Sequence, residues 1–311
     1  TYSISSTDPY FTTSGISRTF YASHAMAQPR PGPGGDYRVR SEAVGVSFGV
    51  PFSERDTINF GVGVERYGIR KNTSALPPSY ERYIDYYGKS AVGVPLSVGW
   101  SRDSRNSALA PTEGSLHRVN AVVSPGGKMR YAMATYKYQQ YFPLTKTLTL
   151  MFNTDLGYGK GLSCRKDAAS GLSHNCFPFY KNFFAGGSGS VRGFDYGGIG
   201  PHEVDPTTGS SYSVGGNKMF NVNLELISPL PGANNDKTLR MFAFLDAGNV
   251  YADSSPSYQA TSADRQVRAS AGIGLRWISP LGPLSLSYGH PFRKQPGDKL
   301  QKFQFQMGTT F

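Results

Sequence analysis

The chain has 311 residues, and 32 Lys and Arg against 21 Asp and Glu leave a net charge of +11. The basic residues are spread out rather than clustered, which argues against a nucleic-acid-binding domain. No run of 18 apolar residues occurs, which excludes a transmembrane helix.

The chain opens on "TYSISSTDPYF", with neither an initiator Met nor a signal peptide, so it reads as a piece of a longer protein. From there the dominant signal is alternation at period two. A stub at 1–7 is followed by strands expected at about 14–26, 39–51 and 56–70. In the last of these Ile58, Phe60, Val62 and Val64 share a face opposite Asn59, Gly61 and Gly63. Further strands are expected at 89–102, 114–125, 129–142 and 146–160, with Val92, Val94, Leu96, Val98 and Trp100 on one face of the first. The series closes with 217–228, 237–251, 266–278, 283–292 and 301–311. In the last segment Phe303, Phe305, Met307, Thr309 and Phe311 share a face, and Gly308 lies between them.

A soluble sandwich would also alternate, but three features favour a transmembrane antiparallel β-barrel. The strands are long enough to cross a bilayer at a tilt. Aromatic residues stand at strand ends, at Trp100, Tyr141, Tyr158, Trp277 and Phe311, as an interfacial girdle would require. The face opposite the apolar one carries Gly, Ser and Arg, which suits a wet lumen. About thirteen strands are counted, whereas bacterial single-chain barrels have even numbers, so strands are expected to be missing at the N-terminus. The turns at 124–128 and 279–283 are expected on the periplasmic side, and the long connections 70–89, 160–216 and 251–266 on the outer side.

The 160–216 loop holds the chain's two cysteines, Cys164 and Cys176. Neither has a metal-ligand spacing, so the pair reads as a disulfide in an oxidising compartment, with two free thiols as the alternative. The same loop contains "GGSGSVRGFDYGG", a glycine-rich stretch around Val191, Arg192, Gly193 and Phe194. A phosphate loop would need a following helix and a Gly-Lys-Ser/Thr ending, and both are absent. On the neighbouring strands alternation turns Glu225, Phe244 and Asp246 inward, and two inward carboxylates call for a cation. The five histidines are scattered, without the spacing of a nucleophile and base or of paired acids, so no enzyme, cofactor or metal site is expected. A diffusion porin fits poorly with so long a loop.

Several stretches together carry a resemblance. They are "TDPYF" (7–11), "SRDSRNSALAPTEGS" (101–115), "FYKNFFAGGSGSVRGFDYGGIGP" (179–201), "FLDAGNVY" (244–251), "RASAGIGLRWISPLGPLSLSY" (268–288) and "FQFQMGTTF" (303–311). In order and spacing they resemble the BamA family of Gram-negative outer-membrane assembly factors. The resemblance implies an outer-membrane location and a barrel of sixteen strands, with POTRA domains and about the first three strands lying outside 1–311. It further implies that Arg192 folds into the lumen to meet Glu225 and Asp246, with Phe194 and Phe244 nearby. The implied activity is folding and insertion of β-barrel proteins, with the last strand (Phe303 to Phe311) at a weak seam. Implied partners are unfolded outer-membrane proteins, the lipoproteins of the assembly machinery, outer-membrane lipid and lipopolysaccharide. The alternative is a transporter of the same superfamily that secretes a soluble partner protein.

Overall fold

The computed structural model describes residues 1–27, 37–71, 76–164, 176–204, 209, 211–232, 238–254, 261–280 and 282–308. Where apolar and polar residues alternate, the chain is extended. The first strands are β1 (Tyr2–Asp8), β2 (Ser17–Ala27), β3 (Tyr37–Pro51) and β4 (Asp56–Lys71). After a helix, α1 (Pro78–Tyr87), come β5 (Ser90–Asp103), β6 (Gly114–Gly127), β7 (Tyr131–Pro143) and β8 (Thr149–Gly161). The long loop contains three short pieces, β9 (Gly193–Phe194), β10 (His202–Val204) and β11 (Ser211–Ser213). The wall resumes with β12 (Lys218–Pro229), β13 (Leu239–Tyr251), β14 (Arg268–Ser279) and β15 (Gly282–Arg293), then β16 (Leu300–Gln301) and β17 (Phe303–Met307).

Thirteen of these strands form one antiparallel sheet in which each wall strand pairs with the next in sequence, β8 with β12 and β15 with β17. Among the described residues its edges, β1 and β17, do not pair with each other. Val62, Val64, Leu96, Val98, Leu245, Ile273 and Leu275 are exposed on its outer face. So many large apolar side chains facing outward on a strand wall match a lipid-facing band. The residues between them point into the barrel, where Glu65, Asn153, Asn223, Glu225 and Asp246 are buried.

Four expectations change. The 124–128 turn joins β6 to β7 and therefore lies at the long-loop end, where Met129 packs with Phe177 of the long loop. Tyr141 is not part of an outer girdle but points inward, 6% exposed, against Met151, Ile227, Phe242 and Phe244. The final strand is not continuous: the chain breaks step at Lys302, so that β16 pairs with β9 while β17 pairs with β15. Gly308 follows at φ +93°, and Thr309 and Phe311 lie outside the described residues.

The fourth change is α1, within a stretch expected only as a loop. Pro78 suits a first helical position, because its missing N–H would be unpaired there anyway. Tyr80, Tyr83 and Ile84 recur at helical spacing and are buried with Leu76. They pack against Tyr37, Val39 and Ile69 of the wall and Phe179 and Val214 of the long loop. Tyr80 and Phe179 stack with ring centroids 4.0 Å apart. Each such side chain contributes on the order of 1.5–3 kcal/mol. The long-loop end is thus a packed apolar cap rather than an open mouth.

A sheet of this kind keeps its strand pairing in detergent. The full-length protein that carries the barrel should run faster on SDS gels unboiled than boiled, with the shift unchanged by reductant, because the Cys164–Cys176 disulfide lies in a loop. Equal mobility in both lanes would contradict the fold.

Candidate functional site

The long loop re-enters the barrel with Arg192 at its tip. Gly193, at φ +87°, reverses the chain there, a backbone conformation that L side chains rarely adopt. On the wall, β12 and β13 are in register with Asn223 opposite Asp246 and Glu225 opposite Phe244, which sets the two inward carboxylates side by side.

The guanidinium fills that gap. Nε and Nη2 of Arg192 donate to the two oxygens of Asp246, each at 2.7 Å, and Nη1 donates to Glu225 Oε1 at 2.5 Å. The Arg192 backbone N–H adds a third bond to Asp246, at 3.0 Å. Arg276 of β14 donates to the other Glu225 oxygen at 3.2 Å, and Asn223 bridges Asp246 Oδ1 and the Ser190 carbonyl. Two guanidiniums and two carboxylates balance in charge. The Arg192 guanidinium also lies over the Phe244 ring, 3.7 Å from its centroid. A fork-shaped cation that serves one carboxylate bidentately and another singly is chemistry that lysine cannot reproduce.

The three charged side chains are almost closed off from solvent. Arg192 is 4% exposed, Glu225 3% and Asp246 0%. Burial disfavours the Arg192 cation, but Glu225 and Asp246 outweigh it and raise its pKa. Removing one partner of such a buried pair costs about 3–5 kcal/mol, because it strands the other charge.

The remaining motif residues take separate places. Val191 and Phe194 are fully buried with Ala185, Ile199 and Val250, whereas Phe244 belongs to the Tyr141 cluster. Gly193 and Phe194 form β9, whose partners are Gln301 and Leu300. Gln304 of β17 donates to the Phe194 carbonyl at 2.7 Å, and the Asp195 N–H donates to the Lys299 carbonyl. The loop tip is therefore joined both to the wall and to the chain entering the last strand. Phe303, Phe305 and Met307 face outward and are exposed. Cys164 and Cys176 are bonded to each other at the root of the loop.

Two further tethers went unread in the sequence. Lys181 reaches Glu65 of β4 at 3.0 Å, and Tyr131 of β7 donates to the other Glu65 oxygen at 2.8 Å. Burial works against the Lys181 cation, yet Tyr67, Tyr131 and Glu65 push its pKa up. Arg268, 1% exposed, pairs with Asp298 of the β15–β16 connection at 2.9 Å. Glu65, Arg268 and Arg276 all fall on inward-facing strand positions, which was the available signal.

Gly289 of β15 makes the close approach possible. A Cβ there would stand 2.8 Å from Gly193 N and 2.9 Å from its Cα, both backbone atoms that cannot swing aside. Gly289→Ala should lift the tip from β15 and speed amide exchange at Arg192 and Gly187 at least tenfold. Unchanged exchange would show the contact to be slack.

Glu203 of β10 accepts the Ser79 N–H at the start of α1 at 3.0 Å. Burial pushes its pKa above the ordinary 4.5, against the Ser79 bonds. A carboxyl with a raised folded pKa stabilises fully below its unfolded pKa, and the benefit is lost as pH rises through the folded value. Intrinsic-rate-corrected exchange in 78–87 should therefore slow as pH falls from 7 toward 4.5, and Glu203→Gln should remove the dependence. A dependence that survives the substitution would assign it elsewhere.

Comparison with known proteins places this geometry. The Omp85 superfamily domain matches residues 1–311. The chain is 38% identical to the outer membrane protein assembly factor BamA of Neisseria meningitidis, over 99% of this chain and 41% of that protein. It is 31% identical to the mouse sorting and assembly machinery component 50 homolog, over 70% of this chain and 45% of that protein. The crystal structure of Haemophilus ducreyi BamA lacking POTRA domains 1–3 superposes with a TM-score of 0.84 at 27% identity, covering 97% of this chain and 60% of that one. The chain thus spans about two fifths of the length of these curated relatives. It belongs to the Omp85 superfamily, with an outer-membrane β-barrel similar to that of the BamA assembly factors.

Proposed function

We propose that this barrel assists the folding and insertion of other β-barrel proteins into the outer membrane, as the barrel subunit of an assembly machinery, without catalytic residues or a cofactor. The observation that carries the reading is the double attachment of the loop tip. Arg192 is locked to β12 and β13, while the next two residues pair with β16 and accept a bond from β17. β17 is held to the wall through five residue pairs with β15, and its other edge has no partner among the described residues. Unpaired N–H and C=O groups along an edge are a template for another strand. The loop sets where that edge stands, and an incoming client strand adds to it. Unfolded outer-membrane proteins are the proposed clients, and the lipoproteins of the machinery the proposed stable partners.

Substitution of the anchor tests this directly. In the full-length protein Arg192→Ala should keep the heat-dependent gel shift, yet expose 160–216 to protease and slow assembly of a reporter barrel about tenfold or more. Asp246→Asn should do the same, and Arg192→Lys should recover only part of the rate, since the fork is lost. Wild-type protease resistance and assembly in Arg192→Ala would make the arginine a bystander.

A further inference from the structure

At the long-loop end the outer face of β3, β4 and the start of β5 carries five exposed cations: Arg38, Arg40, Arg66, Arg70 and Lys89. They surround a groove of about 300 Å³ that also includes Met26 and Ile69. Among the described residues the only carboxylate lining it is Glu42, which Arg40 contacts at 2.5 Å and His24 at 3.4 Å. Arg66 donates weakly to Ser90 Oγ at 3.5 Å. Arg38, Arg70 and Lys89 have no acidic partner among the described residues. Arg38 and Arg70 are moreover direct cross-strand partners. Like charges placed opposite each other destabilise a sheet, so the wall carries here a repulsion that an anion would reverse.

The position of the cluster names the anion. Arg66 is two residues from Val64, and Ser90 beside it two residues from Val92, on the same outward face. At about 3.3 Å per residue the cations begin roughly 7 Å beyond the apolar band, at Arg66, and reach roughly 20 Å along the strands at Arg38 and Arg70. The cluster thus starts at the headgroup level of the outer leaflet and rises through it, since the long loops face outward. Arg groups bind phosphate oxygens bidentately. Val44, Val62, Val64 and Val92, exposed directly below, offer a seat for acyl chains.

We propose that this groove is a binding site for a phosphorylated lipid of the outer leaflet, phosphates on the five cations and acyl chains on the valine band. Its test uses the full-length protein in detergent micelles, titrated with bisphosphorylated lipid A, with the same lipid dephosphorylated, and with inorganic phosphate. The wild type should bind the bisphosphorylated form at least tenfold more tightly than the dephosphorylated one. Arg38→Gln/Arg70→Gln/Lys89→Gln should erase that difference while keeping the heat-dependent gel shift, and Lys146→Gln, an exposed cation at the opposite end, should leave it intact. Inorganic phosphate at the lipid's concentration should not compete. Three results would each overturn the proposal: equal binding of both lipids to wild type, an unaltered preference in the triple variant, or an equal loss in Lys146→Gln. Competition by inorganic phosphate at matched concentration would assign a free-anion site and overturn it too.

Discussion

One guanidinium shared between two buried carboxylates organises the interior of this barrel. Glu225 and Asp246 stand buried on adjacent strands, and without Arg192 their proximity would be a repulsion in a poorly polarisable setting. Arg276 of the wall reaches Glu225 as well, but the cation on Asp246 comes from a loop, so the charge balance is complete only with the loop folded inward. Once Arg192 is seated, the glycines around it, Val191 and Phe194 have fixed positions. The roof is then secured by pairs farther out, Lys181 with Glu65 and Arg268 with Asp298.

Those ionic fastenings divide the labour with apolar packing. Helix α1, Phe179 and Val214 close the outer end by burial, which needs no exact partner and tolerates shape changes. The charged contacts fix register and direction, because a carboxylate accepts only where a donor points at it. A loop tied by apolar contact alone could settle in several poses, whereas this one has two cations, Lys181 addressed to β4 and Arg192 to β12 and β13.

The wall was legible in the sequence to within a few residues at each end, because period-two alternation reports directly on which side of a strand meets lipid. What escaped had competing signals. Tyr80, Tyr83 and Ile84 mark a helix, but they sit in a run of prolines and tyrosines that also reads as loop. Tyr141 stands at a strand end like a girdle residue, and only the parity of its strand, with Tyr131 and Gln139 also inward, separates the two roles. The 124–128 turn looked like the short turn at 279–283, yet counting strands puts them at opposite ends. Inward carboxylates at 225 and 246 were visible from alternation. That Arg276 shares Glu225 and Asn223 bridges to Ser190 depends on register between strands, which a single sequence does not print.

The break at Lys302 has a mechanical meaning. Residues on one side of it are gripped by the re-entrant loop, and residues on the other chiefly by β15, through five pairs worth on the order of a few kcal/mol in net hydrogen bonding, with Gln304 as the one side-chain link back to the loop. Peeling of that short zipper from its far end would run up to the break and stop, since the next pair along belongs to a different partner. Lys302 is then a fulcrum, and the buried arginine 110 residues upstream of it is the weight that keeps the fulcrum still.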